Sequence, residues 1–255
     1  MKIRLSIYRV FLALMLCLVS CSQPPSNEVS ECIDTATQSN TILDVTEDMG
    51  SSYVDSLIFV GESTTYHMKN RGVLAGGQET KQIWAPKCGT MTLDISTTAL
   101  DILYPDTNEL MTIAEAAARA EPEFMIFTFG LNGAVQNIRR GEEYFKKCYR
   151  ALLLSVRDAS PKTKIIIQSA PPIAKNMDMQ NYSITSDELR CYIDTINSWS
   201  LSLAEELGIR YLNTAEALKN SDGFLISDFD VGDGHHLNAD AYREMLWYIR
   251  THGYK

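Results

Sequence analysis

Glu123-Phe124-Met125-Ile126-Phe127-Thr128-Phe129 is an apolar, aromatic-rich run in mid-chain that Gly130 stops at once. Its length and its bulky side chains predict a strand. On its C-terminal side, Gly141 to Asp158 carries Phe145, Cys148, Leu152 and Val156 at helical spacing, and Pro161 closes the segment. Lys164 to Gln168 then reads as another strand, ended by Ser169-Ala170-Pro171-Pro172. A strand, a helix and a strand in succession imply a parallel crossover.

The same alternation continues outward in both directions. Upstream, Ser56-Leu57-Ile58-Phe59-Val60 is a buried-strand candidate ending at Gly61. Gln82 to Ala85 is a weaker strand stopped by Pro86, and the Ala-rich Met111 to Ala120 is helical. Downstream, Thr185-x-x-Glu188 fits a capping box. It opens a helix whose apolar face is Leu189, Ile193, Ile196, Trp199, Leu203 and Leu207, with Gly208 placed to end it. Arg210 to Leu212 is a short strand and Ala239 to Arg250 a terminal helix. The expectation is a single α/β domain of three layers, α/β/α, around a mostly parallel sheet. Functional groups in such folds gather at the loops after the strand C-termini.

Three segments sit where that rule looks. In Val60-Gly61-Glu62-Ser63-Thr64-Thr65, Gly61 permits a sharp exit from the strand and exposes Ser63 near a helix start. A plain N-cap serine is the bland reading. In Phe129-Gly130-Leu131-Asn132-Gly133, Asn132 is a neutral donor that can face a developing oxyanion. An ordinary Asn-Gly turn is the alternative. In Asp230-Val231-Gly232-Asp233-Gly234-His235-His236-Leu237, Asp233 stands three residues before His236 and can reach back to its ring. Asp and His clusters also bind metals. No further His or Cys lies nearby in sequence to complete a zinc set, which disfavours the metal reading.

Gly-Glu-Ser, Gly-x-Asn and Asp-x-x-His, in this order and approximate spacing, resemble the SGNH (GDSL-like) hydrolases from about Val54 to the C-terminus. The resemblance implies the SGNH/flavodoxin-like form of the three-layer fold. It implies Ser63 as nucleophile, His236 as general base and Asp233 as its partner. It further implies an oxyanion hole of the Ser63 N–H, a Gly N–H after the second strand, here Gly89, and the Asn132 amide. The acyl-transfer chemistry so implied needs no metal and no organic cofactor. Two positions depart from the family pattern: the usual Asp before the Ser is Glu62, and the acid that often follows the Asn is Gly133. An α/β-hydrolase would need Gly-x-Ser-x-Gly, and Thr65 stands at the last position.

At the N-terminus, Lys2, Arg4 and Arg9 precede the ten-residue apolar run Val10 to Val19, and the first acid is Glu28. A membrane-spanning helix needs roughly 20 apolar residues, so this reads as a secretory signal. Leu18-Val19-Ser20-Cys21 resembles the bacterial lipobox, which implies cleavage before Cys21 and lipidation of it. Cys17 fits less well, because Leu16 before it is not small. The expected organisation is a lipoprotein signal peptide over 1–20, a flexible polar tether over 21–52 and the hydrolase domain over 53–255. Loss of the leader takes the formal charge from −9 to −12, with 20 basic against 32 acidic residues in the remaining 235. Such a chain has no electrostatic case for binding nucleic acid, and its membrane contact would run through acyl chains at Cys21. Cys32, Cys88, Cys148 and Cys191 remain, with spacings that match no zinc pattern and leave three disulfide pairings open. Cys148 and Cys191, in helical stretches, are expected to be buried. The implied activity is hydrolysis of O-acyl, above all O-acetyl, esters of a small molecule or a glycan outside the cytoplasm. Acyl transfer to a sugar hydroxyl by the same residues is the alternative chemistry, and a non-catalytic glycan- or solute-binding lipoprotein the alternative class.

Overall fold

The computed structural model describes residues 41–181 and 183–255. The expected leader, Cys21, Cys32 and the tether up to residue 40 lie outside the described residues. Among the described residues no helix is long and apolar enough to cross a membrane.

Helix α1 (Gly50–Asp55) leads into strand β1 (Leu57–Gly61), and α2 (Ser63–Asn70) begins almost at once. Strand β2 (Ile83–Trp84) is followed by an antiparallel hairpin, β3 (Asp101–Leu103) and β4 (Leu110–Thr112), which runs straight into α3 (Ile113–Ala120). Then come β5 (Phe124–Thr128), α4 (Ala134–Arg140), α5 (Glu142–Ala159), β6 (Lys164–Gln168), α6 (Ser186–Leu207), β7 (Arg210–Leu212), α7 (Ala215–Leu218) and α8 (Ala239–Thr251).

The main sheet has the order β2-β1-β5-β6-β7, and every pairing in it is parallel. Within this sheet the strands run 2-1-3-4-5 in chain order, a doubly wound arrangement that reverses direction between β1 and β5. That reversal opens a crevice beyond Gly61 and Thr128, the last residues of those two strands. Helices cover both faces, which is why β5 is buried at every position instead of alternating. Met125 and Phe127 share one core with Ala117, Leu152 and Ile193 of α3, α5 and α6. Phe124 and Ile126 share the other with Val54, Met68 and Ile249 of α1, α2 and α8. Alternate side chains of one strand thus feed opposite layers.

The capping box of α6 is present: Thr185 Oγ1 accepts from the Glu188 N–H at 3.2 Å, and the Glu188 carboxylate accepts from the Thr185 N–H at 2.7 Å. Leu189, Ile193, Ile196 and Leu203 of its apolar face are buried, whereas Trp199 and Leu207 are partly covered. Three expectations need correction. Met111 belongs to β4, and the helix expected over 111–120 starts at Ile113, capped by Thr112 and Glu115. Cys191 is exposed, because it lies off the inward stripe of α6, while Cys148 is buried as expected; among the described residues neither these two nor Cys88 is in a disulfide.

The third concerns the tether. Residues 41–52 pack on the domain. Ile42 forms a parallel bridge to Tyr211, the Leu43 N–H donates to Tyr211 O at 2.9 Å, and Leu43 is 2% exposed. Asp48 pairs with Arg250 of α8. This segment is polar in composition, so its one buried apolar anchor left no periodic signal.

Candidate active site

Ser63 is the first residue of α2, separated from the end of β1 by Glu62 alone. The turn that places it depends on Gly61. A Cβ there would stand 2.4 Å from Thr65 Oγ1 and 2.5 Å from Thr128 O, so any larger residue would force β1 and β5 apart at their tips. From the other side, Tyr242 of α8 donates its hydroxyl to Thr64 O at 2.5 Å and holds the helix start in place.

His236 comes from the loop before α8. Its Nε2 is 3.0 Å from Ser63 Oγ, and its Nδ1 is 2.7 Å from Asp233 Oδ2. Asp233 Oδ1 accepts the backbone N–H groups of His236 and His235 at 2.9 and 3.0 Å. Burial pushes the Asp233 carboxyl up, but the hydrogen bonds from the His236 ring and from these two N–H groups outweigh it. They hold the group well below the usual carboxylate range. Asp230 does not reach His236; its carboxylate accepts the Gly234 N–H at 3.0 Å and shapes the loop. The structure therefore brings Ser63, His236 and Asp233 into one hydrogen-bonded line. Asp233, His235 and His236 also present ligand atoms within 4.8 Å of one another, a set able to hold a metal ion. A metal at His236 Nδ1 would displace its 2.7 Å bond to Asp233.

Asn132 lies on the loop after β5. Its Nδ2 donates to Thr90 Oγ1 at 3.1 Å and to Met91 O at 3.0 Å, tying this loop to the one after β2. Gly89 corrects the expectation placed on it. Its N–H already donates to Pro86 O at 2.8 Å, within a turn, and is not a free donor. Gly89 is needed for another reason: with φ +76°, it lets the Tyr66 ring approach to where a Cβ would be 2.7 Å away.

Two neighbours had no role assigned from sequence. Glu62 is buried, and its carboxylate accepts the N–H groups of Gly130, Leu131 and Asn132 at 3.0, 3.0 and 2.9 Å. Burial pushes this carboxyl up to about 7, against the pull of the three N–H donors. The residue before Ser63 thus clamps the loop that carries Asn132. Only the tertiary structure brings them together; the sequence signal was no more than an acid beside the serine. His67, four residues after Ser63 on α2, stacks on the His236 ring with centroids 4.3 Å apart and planes 18° apart. The helical offset of four was a legible signal for it.

Beside Asn132 and His235 opens a cavity of about 270 Å³, lined on its apolar side by Leu131, Met177 and Leu189 and on its polar side by Thr92. The mixture suits a small ligand with both hydroxyl and hydrocarbon faces.

The sequence profile of the GDSL-like lipase/acylhydrolase family matches residues 59–244, more than half of the chain. A search of curated proteins gave no match. Among solved structures, a GDSL-like lipase from Bacteroides thetaiotaomicron is similar at 13% identity and a TM-score of 0.51, over 76% of this chain and 85% of that one. A protein described as lipolytic and of the G-D-S-L family, from Desulfitobacterium hafniense, is similar at 15% identity and a TM-score of 0.50, over 76% and 97%. These two likenesses bear on the fold.

Proposed function

Because the chain belongs to the GDSL-like lipase/acylhydrolase family, and is therefore an ester-hydrolysing serine hydrolase, we propose that it is an extracytoplasmic esterase removing O-acyl groups, O-acetyl above all, from carbohydrate. The observation that carries the chemistry is the line Ser63 Oγ, His236 Nε2, His236 Nδ1, Asp233 Oδ2, with separations of 3.0 and 2.7 Å. In this reading His236 takes the Ser63 proton as Oγ attacks the ester carbonyl. The same proton passes to the departing sugar oxygen when the tetrahedral intermediate collapses. Water then attacks the acyl-serine with His236 again as base. The carboxylic acid leaves and Ser63 regains its proton.

Asp233, held ionised by its donors, keeps Nδ1 of His236 protonated and Nε2 free to accept, and it stabilises the imidazolium formed in each half. The oxyanion is received by the Ser63 N–H at the α2 start and by Asn132 Nδ2, which exchanges one of its two present acceptors for it. Support for a carbohydrate alcohol comes from the mixed lining of the cavity at Asn132 and His235. Export and a lipid anchor at Cys21 rest on the leader and lipobox pattern of residues 1–21. Mass spectrometry of the exported protein is expected to find an acylated Cys21 as first residue, and any other N-terminus removes the anchor.

A fluorophosphonate probe tests the catalytic reading without knowledge of the substrate. Covalent labelling is expected on Ser63, together with turnover of 4-nitrophenyl acetate. An unlabelled Ser63 in folded protein would refute the assignment.

A further inference from the structure

The chain has four histidines, and three of them meet at this site. Only His236 has a task in the mechanism above. His235 lies with its ring centroid 4.0 Å from that of His236, tilted by 44°. His67 is different: its ring lies nearly parallel to His236, and it is carried by the same helix that carries Ser63. An offset of four residues puts Ser63 and His67 on one face of α2, so nucleophile and stacking ring move as one body. His67 Nδ1 is buried and has no hydrogen-bond partner among the described residues.

From this geometry we propose that His67 is a positioning residue for His236: its neutral ring backs the His236 imidazole in the plane that aims Nε2 at Ser63, and its π-face stabilises the imidazolium that forms during both half-reactions. The proposal rests on the hydrolase reading of Ser63 and His236.

The charge state of His67 follows from what surrounds it. A protonated ring would bury an Nδ1–H donor without an acceptor, which is costly. Burial first, then His236, then Arg71 just past the end of α2 disfavour the proton, and His235 adds to them. Asp233 alone of the facing groups favours it, and the balance lies below the ordinary histidine value. His67 therefore stays neutral while His236 cycles through its cation. A neutral aromatic face against a cation is attractive, and a second cation in its place would be repulsive.

Three variants separate this role from mere packing. Each is assayed on 4-nitrophenyl acetate, with active sites counted by fluorophosphonate labelling and rates given per labelled site. His67→Ala removes the face, and kcat is expected to fall about tenfold with KM unchanged within about twofold. His67→Phe returns a flat face that does not titrate, and most of the lost kcat is expected to return. His67→Lys sets a permanent charge against His236, and the acidic limb of the kcat/KM profile is expected to move to lower pH by about one unit.

Equal kcat per labelled site in His67→Ala and wild type, with an unmoved acidic limb in His67→Lys, overturns the proposal and leaves the hydrolase reading intact. If His67→Lys does not fold, loss in the Ala variant without recovery in the Phe variant overturns it. An unlabelled Ser63 in the wild type overturns the hydrolase reading and this proposal with it.

Discussion

Asp233 uses one carboxylate oxygen on two backbone N–H groups and the other on the His236 ring, so a single side chain sets both the loop and the base. At the residue scale this orders the effects of substitution. Ser63→Ala is expected to lose roughly 10⁴-fold or more in kcat on 4-nitrophenyl acetate with the fold intact, and His236→Ala to approach it. Asp233→Asn is expected to be milder by about 10²-fold, since the imidazole and nucleophile remain. His235 borders the cavity rather than the hydrogen-bonded line, so His235→Ala should stay within about tenfold, mostly in KM. A dead His235→Ala beside an active His236→Ala would reverse the register of the motif. Glu62 adds a pH signature. Its carboxyl rises from 4.5 to about 7 on folding, so the protonated form is favoured by the fold. The stability it lends is complete below pH 4.5 and is lost as pH rises through about 7, a span worth about 3 kcal/mol. Urea midpoints at pH 4.5 and 8 should show this fall in wild type, and Glu62→Gln should lack it. That variant should also turn over more slowly, because an amide cannot accept all three N–H donors that hold the Asn132 loop.

At the element scale, the junction of β1 and α2 is the most constrained piece of backbone in the site. Gly61→Ala drives a methyl into Thr65 Oγ1 and Thr128 O, so activity should fall with stability, unlike the clean loss in Ser63→Ala. Circular dichroism melts run beside the ester assay distinguish the two. The α6 start offers the opposite case. Thr185→Ala removes one half of the capping box and should cost about 1 kcal/mol without changing kcat. α6 was legible in the sequence to the residue because a cap, an apolar stripe and a closing Gly208 agree. The hairpin of β3 and β4, the seven-residue α4 and the four-residue α7 were not, because elements that short carry too few residues to establish a period.

At the scale of the whole molecule, the segment over 41–52 is stitched to both the β7 edge and α8. Leu43→Ala should therefore destabilise the domain by about 2–3 kcal/mol. Val45→Ser, two residues on and 77% exposed, should stay within about 0.5 kcal/mol. Equal chemical-denaturation midpoints for the two variants would show that the segment does not contribute.

The sequence by itself determined the layer architecture, since apolar runs and helical stripes follow periods set by local geometry and must be buried whatever their partners. It also singled out Ser63, Asn132, Asp233 and His236, each displayed at a strand end or in a three-residue offset that one turn can close. The tertiary structure alone decided the rest. Glu62 meets the Asn132 loop because β1 and β5 are neighbours at the point where strand order reverses. Gly89 serves the approach of Tyr66 rather than donating outward, because its own turn already satisfies its N–H. Leu43 is an anchor because the β7 edge was open to it. Apart from the Pro86–Gly89 turn, these are contacts across long sequence separations, and they depend on which surfaces the fold brings together, information that no local pattern of residues carries.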